Sequence, residues 1–304
     1  MNTSPKKTVI IIAGPTAVGK TSVAINIAKH FQTEIISADS RQCFKELNIG
    51  VARPSIKELQ EIPHYFIASH SIHDAVNAAG FEKYALEKTN QLFQLHDVIV
   101  MVGGTGLYIK AFCEGLDEIP TIQTGIRDTI VTDYNNNGIQ WLQEQIKKHD
   151  PYYSVYGEIQ NPQRMMRALE VKLSTGKSIL EFQKNKKLTR DFNIIKIGLE
   201  IPKEQLQNNM NTRVDKMIMD GLVNEVQNLV PYNNSNALQT VGYTEIFNYL
   251  EGKILLTEAI ERIKINTRQY AKRQMTWFKK DKEIQWFVAA QPKGIIEFAE
   301  LNRL

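Results

Sequence analysis

The chain has 304 residues, 42% of them hydrophobic and 23% charged, enough apolar content for one large core or two smaller ones. The net charge is a mild +4, only two cysteines occur, and no apolar run nears the roughly eighteen residues of a membrane helix, which excludes disulfide scaffolds, cysteine-based zinc sites and helical membrane spans. Met1 to Lys7 lead into an apolar strand rather than a signal-peptide core, so a cytoplasmic protein without membrane contact is expected, with Cys43 and Cys113 as unpaired thiols.

The first strand, Thr8 to Ala13, precedes Gly14-Pro15-Thr16-Ala17-Val18-Gly19-Lys20-Thr21, and an amphipathic segment, Ser22 to Phe31, follows. Strand, glycine turn and helix in that order are what a phosphate-binding loop requires. Gly14 and Gly19 let the backbone curl so that amides point inward at a helix N-terminus, where an anion is already favoured. Lys20 adds a full charge, and the Thr21 hydroxyl suits a Mg2+ bridging two phosphate oxygens. A di- or triphosphate is therefore expected, of a kind the loop does not specify.

A second strand, Glu34 to Ser37, ends in Ala38-Asp39-Ser40-Arg41-Gln42, where open α/β sheets place their chemistry. Asp39 is a candidate acid; ordering a turn is an equally good use for it. His64, His70 and His73 accompany a strand expected at His64 to Ala68, but no carboxylate or cysteine spacing supports a metal there. A helix over Ala78 to Leu95 leads to the strand Val98 to Val102 and to a second glycine turn, Gly103-Gly104-Thr105-Gly106-Leu107-Tyr108. Many phosphate-loop hydrolases hold magnesium with an Asp at the end of such a strand. Here Asp97 sits at the wrong end, which leaves Asp39 as the acid nearest the phosphates.

Alternating strands and helices predict an α/β fold with a doubly wound parallel sheet. Strand-like runs vanish from about Thr121 to Lys187, where helices are broken at Asn135 to Gly138, Asp150-Pro151, Asn161-Pro162 and Thr175-Gly176. A strand returns at Asn193 to Glu200, and Pro202 to Leu304 reads mostly helical. The expected organisation is a core of residues 1–120 and 188–304, split by a helical insertion domain of residues 121–187.

Two basic runs stand out. The first holds Arg164, Arg167, Lys172, Lys177, Lys184, Lys186, Lys187 and Arg190 against Glu170 and Glu181. The second holds Arg262, Lys264, Arg268, Lys272, Arg273, Lys279, Lys280 and Lys282 against Asp281, with Tyr270, Trp277 and Phe278 interleaved. Either alone reads as a solvated helix face; together, with aromatics, they point to a polyanion such as nucleic acid.

Several stretches now coincide: the phosphate loop, Ser37 to Gln42, Ile49-Gly50 with Arg53-Pro54-Ser55, Gly103 to Tyr108, Asn161-Pro162-Gln163-Arg164 with Arg167 to Glu170, and Thr267 to Gln274 with Thr276-Trp277-Phe278. In that order the chain resembles the bacterial tRNA dimethylallyltransferases over nearly its whole length. The resemblance implies a P-loop NTPase-like core, Mg2+ as cofactor and a monomer. The implied reaction moves a dimethylallyl group from dimethylallyl diphosphate to N6 of the adenine at position 37 in the tRNA anticodon stem-loop. It implies Asp39, Thr105 and Arg213 as catalytic residues, Asp39 being the general base, while Gly14 to Thr21 hold the leaving diphosphate. It further implies tRNA contacts through Asp39, Ser40, Arg41, Gln42, Gln163, Arg164, Met165, Met166 and Arg167, gripping a base extruded from its stack. For Arg164 and Arg167 an internal ion pair with Glu170 is the rival use. The chain departs from the family pattern at Arg53, Asn209 and Thr244, where Lys, Arg and Lys are usual. Rival functions are an adenylate isopentenyltransferase acting on free AMP, a phosphate-loop kinase of a small metabolite, and a non-catalytic nucleic-acid binder.

Overall fold

The computed structural model describes residues 6–120, 122–123, 125–183, 187–289 and 291–303; Met1 to Pro5, Thr121 and the basic-run residues Lys184 and Lys186 lie outside them. The chain divides into two compact units, Met1–Glu114 with Thr189–Leu304, and Gly115–Leu188.

The first unit is built on a parallel sheet of β1 (Thr8–Ala13), β2 (Ile35–Ser37), β3 (His64–Tyr65), β4 (Val98–Gly103), β5 (Asn193–Glu200) and β6 (Gln285–Val288), in spatial order β3-β2-β4-β1-β5-β6. Its helices are α1 (Lys20–His30), α2 (Ile56–Glu61), α3 (Ala78–Leu92) and α4 (Gly106–Glu114). The second unit holds α5 (Ile126–His149), α6 (Pro151–Tyr156), α7 (Pro162–Thr175) and α8 (Ile179–Phe182). The first unit then resumes with α9 (Lys203–Met219), α10 (Leu222–Gln227), α11 (Tyr243–Leu250), α12 (Leu256–Phe278) and α13 (Pro292–Leu301).

Strand side chains alternate between two faces, and each face has its own core. Val9 and Ile11 of β1 with Ile99 and Met101 of β4 pack on α3, α4, α11 and α12, through residues such as Phe81, Phe112, Ile246 and Ile263. Ile10 and Ile12 with Val98 and Val100 face α1 and α13 through Ile27, Ala28 and Ile295. Layers on both faces make the sheet doubly wound. Each fully buried Ile is worth about 1.5–3 kcal/mol relative to leaving it in water, so β1, buried at every position, anchors the fold.

Four details differ from the sequence-based expectation. β3 stops at Tyr65 because Phe66 (φ 62°) and Ala68 (φ 45°) turn left-handed. α3 ends at Leu92 rather than Leu95. β6 is an added edge strand, too short and too exposed to show an alternating pattern. The break expected over Asn135 to Gly138 is a kink inside α5, at Gly138 (φ 75°, ψ −168°).

The second unit has its own small core, in which Leu142 and Ile146 of α5 meet Met165, Met166 and Leu169 of α7. Asp150 caps α6 and Asn161 caps α7, each followed by Pro at the first helical position, where its missing N–H costs nothing.

Candidate active site

The C-terminal ends of β2, β4 and β1, neighbours in the sheet, carry the three turns singled out above. β1 hands the chain to Gly14, whose φ of 150° is closed to other residues and where a Cβ would lie 2.9 Å from the Leu199 carbonyl oxygen of β5. Gly19 caps α1 without any side-chain bond, which leaves the first amides of the helix for a ligand. Lys20 folds back so that Nζ donates to the Pro15 carbonyl at 2.7 Å. Burial, then the neighbouring Arg213 charge, push Lys20 down to about 7, with Asp39 pulling partly the other way. A lysine so placed makes no ion pair among the described residues, and the cradle is therefore suited to a polyanionic ligand. The Thr21 hydroxyl faces the same cavity and makes no hydrogen bond with the described residues.

Asp39 does two things at once. Its Oδ1 accepts from the amides of Arg41 at 2.9 Å and Gln42 at 3.2 Å, ordering the turn after β2. Its Oδ2 has no partner among the described residues. Thr105 N donates to the Ala38 carbonyl at 3.3 Å, and Thr105 Oγ1 accepts from Ser40 N at 3.0 Å and donates to Ser40 Oγ at 3.3 Å. Thr105 thus serves Asp39's turn rather than the anion cradle, and it lines neither cavity described below.

Two long helices close the site. From α12, the buried Gln274 accepts from Thr16 N at 2.8 Å and donates through Nε2 to the Gly104 carbonyl at 2.9 Å, joining the two glycine turns. Any side chain at Gly104 would collide with it, a Cβ there falling 2.2 Å from Gln274 Nε2. From α9, Arg213 Nη1 donates to Thr16 Oγ1 at 3.0 Å, and Asn209, one turn earlier, donates to the Ala17 carbonyl at 3.1 Å. The Asn that departs from the family pattern therefore still holds the phosphate loop.

A cavity of about 920 Å³ contains the phosphate loop, and a second of about 580 Å³ is lined by Thr240, Asn266, Thr267 and Arg273. Thr16, Asp39 and Arg213 line both, and so do Val51, Ala52, Met217 and Tyr270. Burial and the nearby Asp39 charge push the Tyr270 phenol up to about 12, so it stays neutral. The segment carrying Val51 and Ala52 is clamped from below. Glu225 accepts from the amides of Asn48, Ile49 and Gly50 at 3.2, 2.8 and 3.1 Å, and from the Tyr243 hydroxyl at 2.6 Å. Gln42 Nε2 donates to the Val51 and Ala52 carbonyls at 3.2 and 3.0 Å.

Arg41, expected to contact tRNA, and Arg53, which departs from the family pattern, are both engaged by backbone. Arg41 donates to the carbonyls of Asn236 at 2.8 Å, Ala237 at 3.1 Å and Gln239 at 3.4 Å, holding a wall of the second cavity. Arg53 donates to the Phe44, Lys45 and Leu47 carbonyls. Thr244 lines the second cavity with its hydroxyl on the Thr240 carbonyl. The three histidines find local partners: the Ile62 carbonyl for His64, Ser69 for His70 and the Tyr232 ring for His73.

The remaining predicted residues lie on α7 of the second unit. Met165 and Met166 are 0% and 2% exposed, which corrects the expectation that their side chains meet tRNA: they fill that unit's core. Arg167 pairs with the buried Glu170 at 3.0 Å, so the internal ion pair is realised there, and Arg127 holds Gln163 at 2.8 Å. Arg164 is exposed, and its guanidinium has no partner among the described residues. On α12 and just beyond it, Arg262, Lys264, Arg268 and Lys279 have protein partners, whereas Lys272, Arg273, Lys280 and Lys282 make no ion pair among the described residues.

The Gln274 bridge, the Glu225 clamp and the shared position of Tyr270 were not foreseen. Gln274 and Tyr270 belong to a motif already singled out, one helical turn apart, which was the only available signal; nothing near Glu225 marks it.

A family model described as IPP transferase matches residues 42–281. The tRNA dimethylallyltransferase of Christiangramia forsetii is 48% identical over 292 residues, covering 96% of this chain and 97% of the relative. The tRNA dimethylallyltransferase 2 of Azobacteroides pseudotrichonymphae is 47% identical, covering 96% and 94%. The crystal structure of the full-length tRNA isopentenylpyrophosphate transferase of Bacillus halodurans is similar with a TM-score of 0.72 at 31% identity, over 98% of this chain and 97% of that one. That of a eukaryotic dimethylallyltransferase acting on tRNA is similar with a TM-score of 0.74 at 26% identity, over 93% and 74%.

Proposed function

The chain belongs to the IPP transferase family, and from that premise we propose how it works as a P-loop NTPase-like prenyltransferase that moves a dimethylallyl group onto tRNA. The donor is dimethylallyl diphosphate, and the acceptor is N6 of the adenine at position 37. The diphosphate lies on the amides of Gly14 to Thr21, with Lys20 and Arg213 over it; the adenine, extruded from its loop, enters the second cavity. As the C1–O bond breaks, its electron pair goes to the bridging oxygen, where these fixed donors meet the growing charge. The N6 lone pair forms the new C–N bond, and the N6 proton passes to Asp39 Oδ2.

The observation that carries this reading is the free Oδ2 of Asp39 on the wall common to the anion cradle and the second cavity. Thr105 and Gln42 keep that carboxylate and its surroundings in place. The unengaged Thr21 hydroxyl fits a Mg2+ held mainly by phosphate oxygens and water, an ion that would neutralise charge on the departing diphosphate. No group of three or more His, Cys, Asp or Glu side chains that could hold a metal occurs among the described residues. Arg164 supplies a phosphate contact to tRNA, and Lys272 and Arg273 add positive charge on α12. No helix among the described residues is long and apolar enough to cross a membrane; a cytoplasmic monomer completes the reading.

Asp39→Asn is the test, because an amide oxygen still accepts the two turn amides while the base is lost. Transfer to unmodified tRNA should fall at least about 100-fold with tRNA affinity within about twofold. A rate within a few-fold of the parent enzyme rules out Asp39 as the base. Radiolabelled donor offered to AMP, and ATP titrated against tryptophan fluorescence, separate the free-nucleotide transferase and the kinase from this reading.

A further inference from the structure

Seven residues line both cavities and so mark the rim they share: Thr16, Asp39 and Arg213 are polar or charged, and Val51, Ala52, Met217 and Tyr270 are apolar or aromatic. We infer that these four side chains are the sleeve that selects the five-carbon prenyl group, and that Met217 sets the longest chain admitted. The inference rests on the proposed transfer reaction with the diphosphate in the larger cavity.

If the leaving oxygen lies in the cradle and N6 lies by Asp39, the carbon passing between them must cross that rim. Its four remaining carbons then lie against whatever lines the rim. Elsewhere the larger cavity presents Lys20 and Thr21, suited to an anion, beside Ile49, Ile56, Leu59 and Ile67, and the second presents Thr240, Asn266 and Thr267, suited to base edges, beside Val241 and Ile263. At the crossing point itself, Val51, Ala52, Met217 and the Tyr270 ring supply the apolar lining that a hydrocarbon and a carbon with growing positive charge need to exclude water.

Each helical member of the sleeve sits one turn from a residue of the phosphate site. Met217 follows Arg213 by four positions on α9, and Tyr270 precedes Gln274 by four on α12. Four residues rise about 6 Å, enough for the branched dimethylallyl group, whose longest run is four carbons, and short of the eight-carbon run of a geranyl chain. The other two members are held fast: Ala52 sits at φ 47°, the carbonyls of Val51 and Ala52 are held by Gln42, and the amides before them by Glu225. Met217, half-buried with a flexible thioether, is the adjustable part of the sleeve.

The experiment measures kcat/KM for dimethylallyl and geranyl diphosphates with unmodified tRNA, in the full chain, for the parent, Met217→Ala and Val51→Phe. Inhibition by inorganic pyrophosphate is measured alongside. Met217→Ala should move the geranyl-to-dimethylallyl ratio at least about tenfold toward geranyl. Val51→Phe should raise KM for the five-carbon donor about tenfold or more. Pyrophosphate inhibition constants should stay within about twofold in both, which also shows that each variant is folded with its cradle intact. The sleeve is overturned if neither variant moves its parameter by more than about threefold while the parent is active. A parent that transfers nothing from dimethylallyl diphosphate, or that pyrophosphate does not inhibit, overturns the underlying reaction and the sleeve with it.

Discussion

Gln274→Leu isolates the link between the two glycine turns. Leucine keeps nearly the same volume but neither accepts from Thr16 N nor donates to the Gly104 carbonyl, so two bonds of 2.8 and 2.9 Å disappear and no cavity opens. Gly104 is buried, and its carbonyl bears the full penalty of an unsatisfied acceptor, about 1–3 kcal/mol. Thr16 borders the cavities, where water can take over its amide, and adds about 1 kcal/mol. The sum, about 2–4 kcal/mol, is a large share of a typical total of about 5–15 kcal/mol. With a urea dependence of about 3 kcal/mol per molar, the midpoint should fall by about 1 M. Trp277 and Trp286 report on the first unit once Trp141, in the second, is replaced by Phe. With the loop loosened, pyrophosphate affinity should also drop about tenfold, since the cradle must be reordered on binding. A midpoint shifted by less than about 0.2 M together with unchanged pyrophosphate affinity would refute the claim that Gln274 holds the cradle in shape.

Three further outcomes follow from the same geometry. Lys20, pushed down to about 7, is neutral above that pH in the free protein and must be protonated to hold a diphosphate, so affinity is full below about pH 7 and lost as pH rises. Between pH 8 and 9 it should fall about tenfold, with net proton uptake on binding at pH 8 seen by calorimetry in two buffers; Lys20→Arg, always charged, should show neither effect. Arg164→Ala should lower the slope of log affinity for tRNA against log salt by about 0.7–0.9, as one phosphate contact is lost. Arg167→Ala should leave that slope nearly unchanged and instead cost the second unit about 1 kcal/mol of stability, because it leaves Glu170 to Arg127 alone.

Much of the fold was legible because its signals are local. The apolar run of Thr8 to Ala13, the glycine turns after β1 and β4, and the caps at Asp150 and Asn161 each act within a few residues, and the strand over Asn193 to Glu200 falls where its composition put it. β3 and β6 were harder, since a two-residue strand and an exposed edge carry little periodicity. For Arg41 residue type misled, since a guanidinium suited to RNA found three carbonyls; Met165, placed among the tRNA contacts by the resemblance, turned into a core.

By itself the sequence determined that a glycine loop follows β1, that Asp39 follows β2 and which family's pattern the chain follows, since those depend on residue types at short spacing. Only the tertiary structure decided that Gln274 meets Thr16 from 258 positions away, that Glu225 clamps residues 48–50, and that Asp39, Arg213 and Tyr270 share one rim. Such pairings arise when α9, α10 and α12 dock on the sheet, and a hydrogen bond formed by docking leaves no periodic trace in the residues that make it.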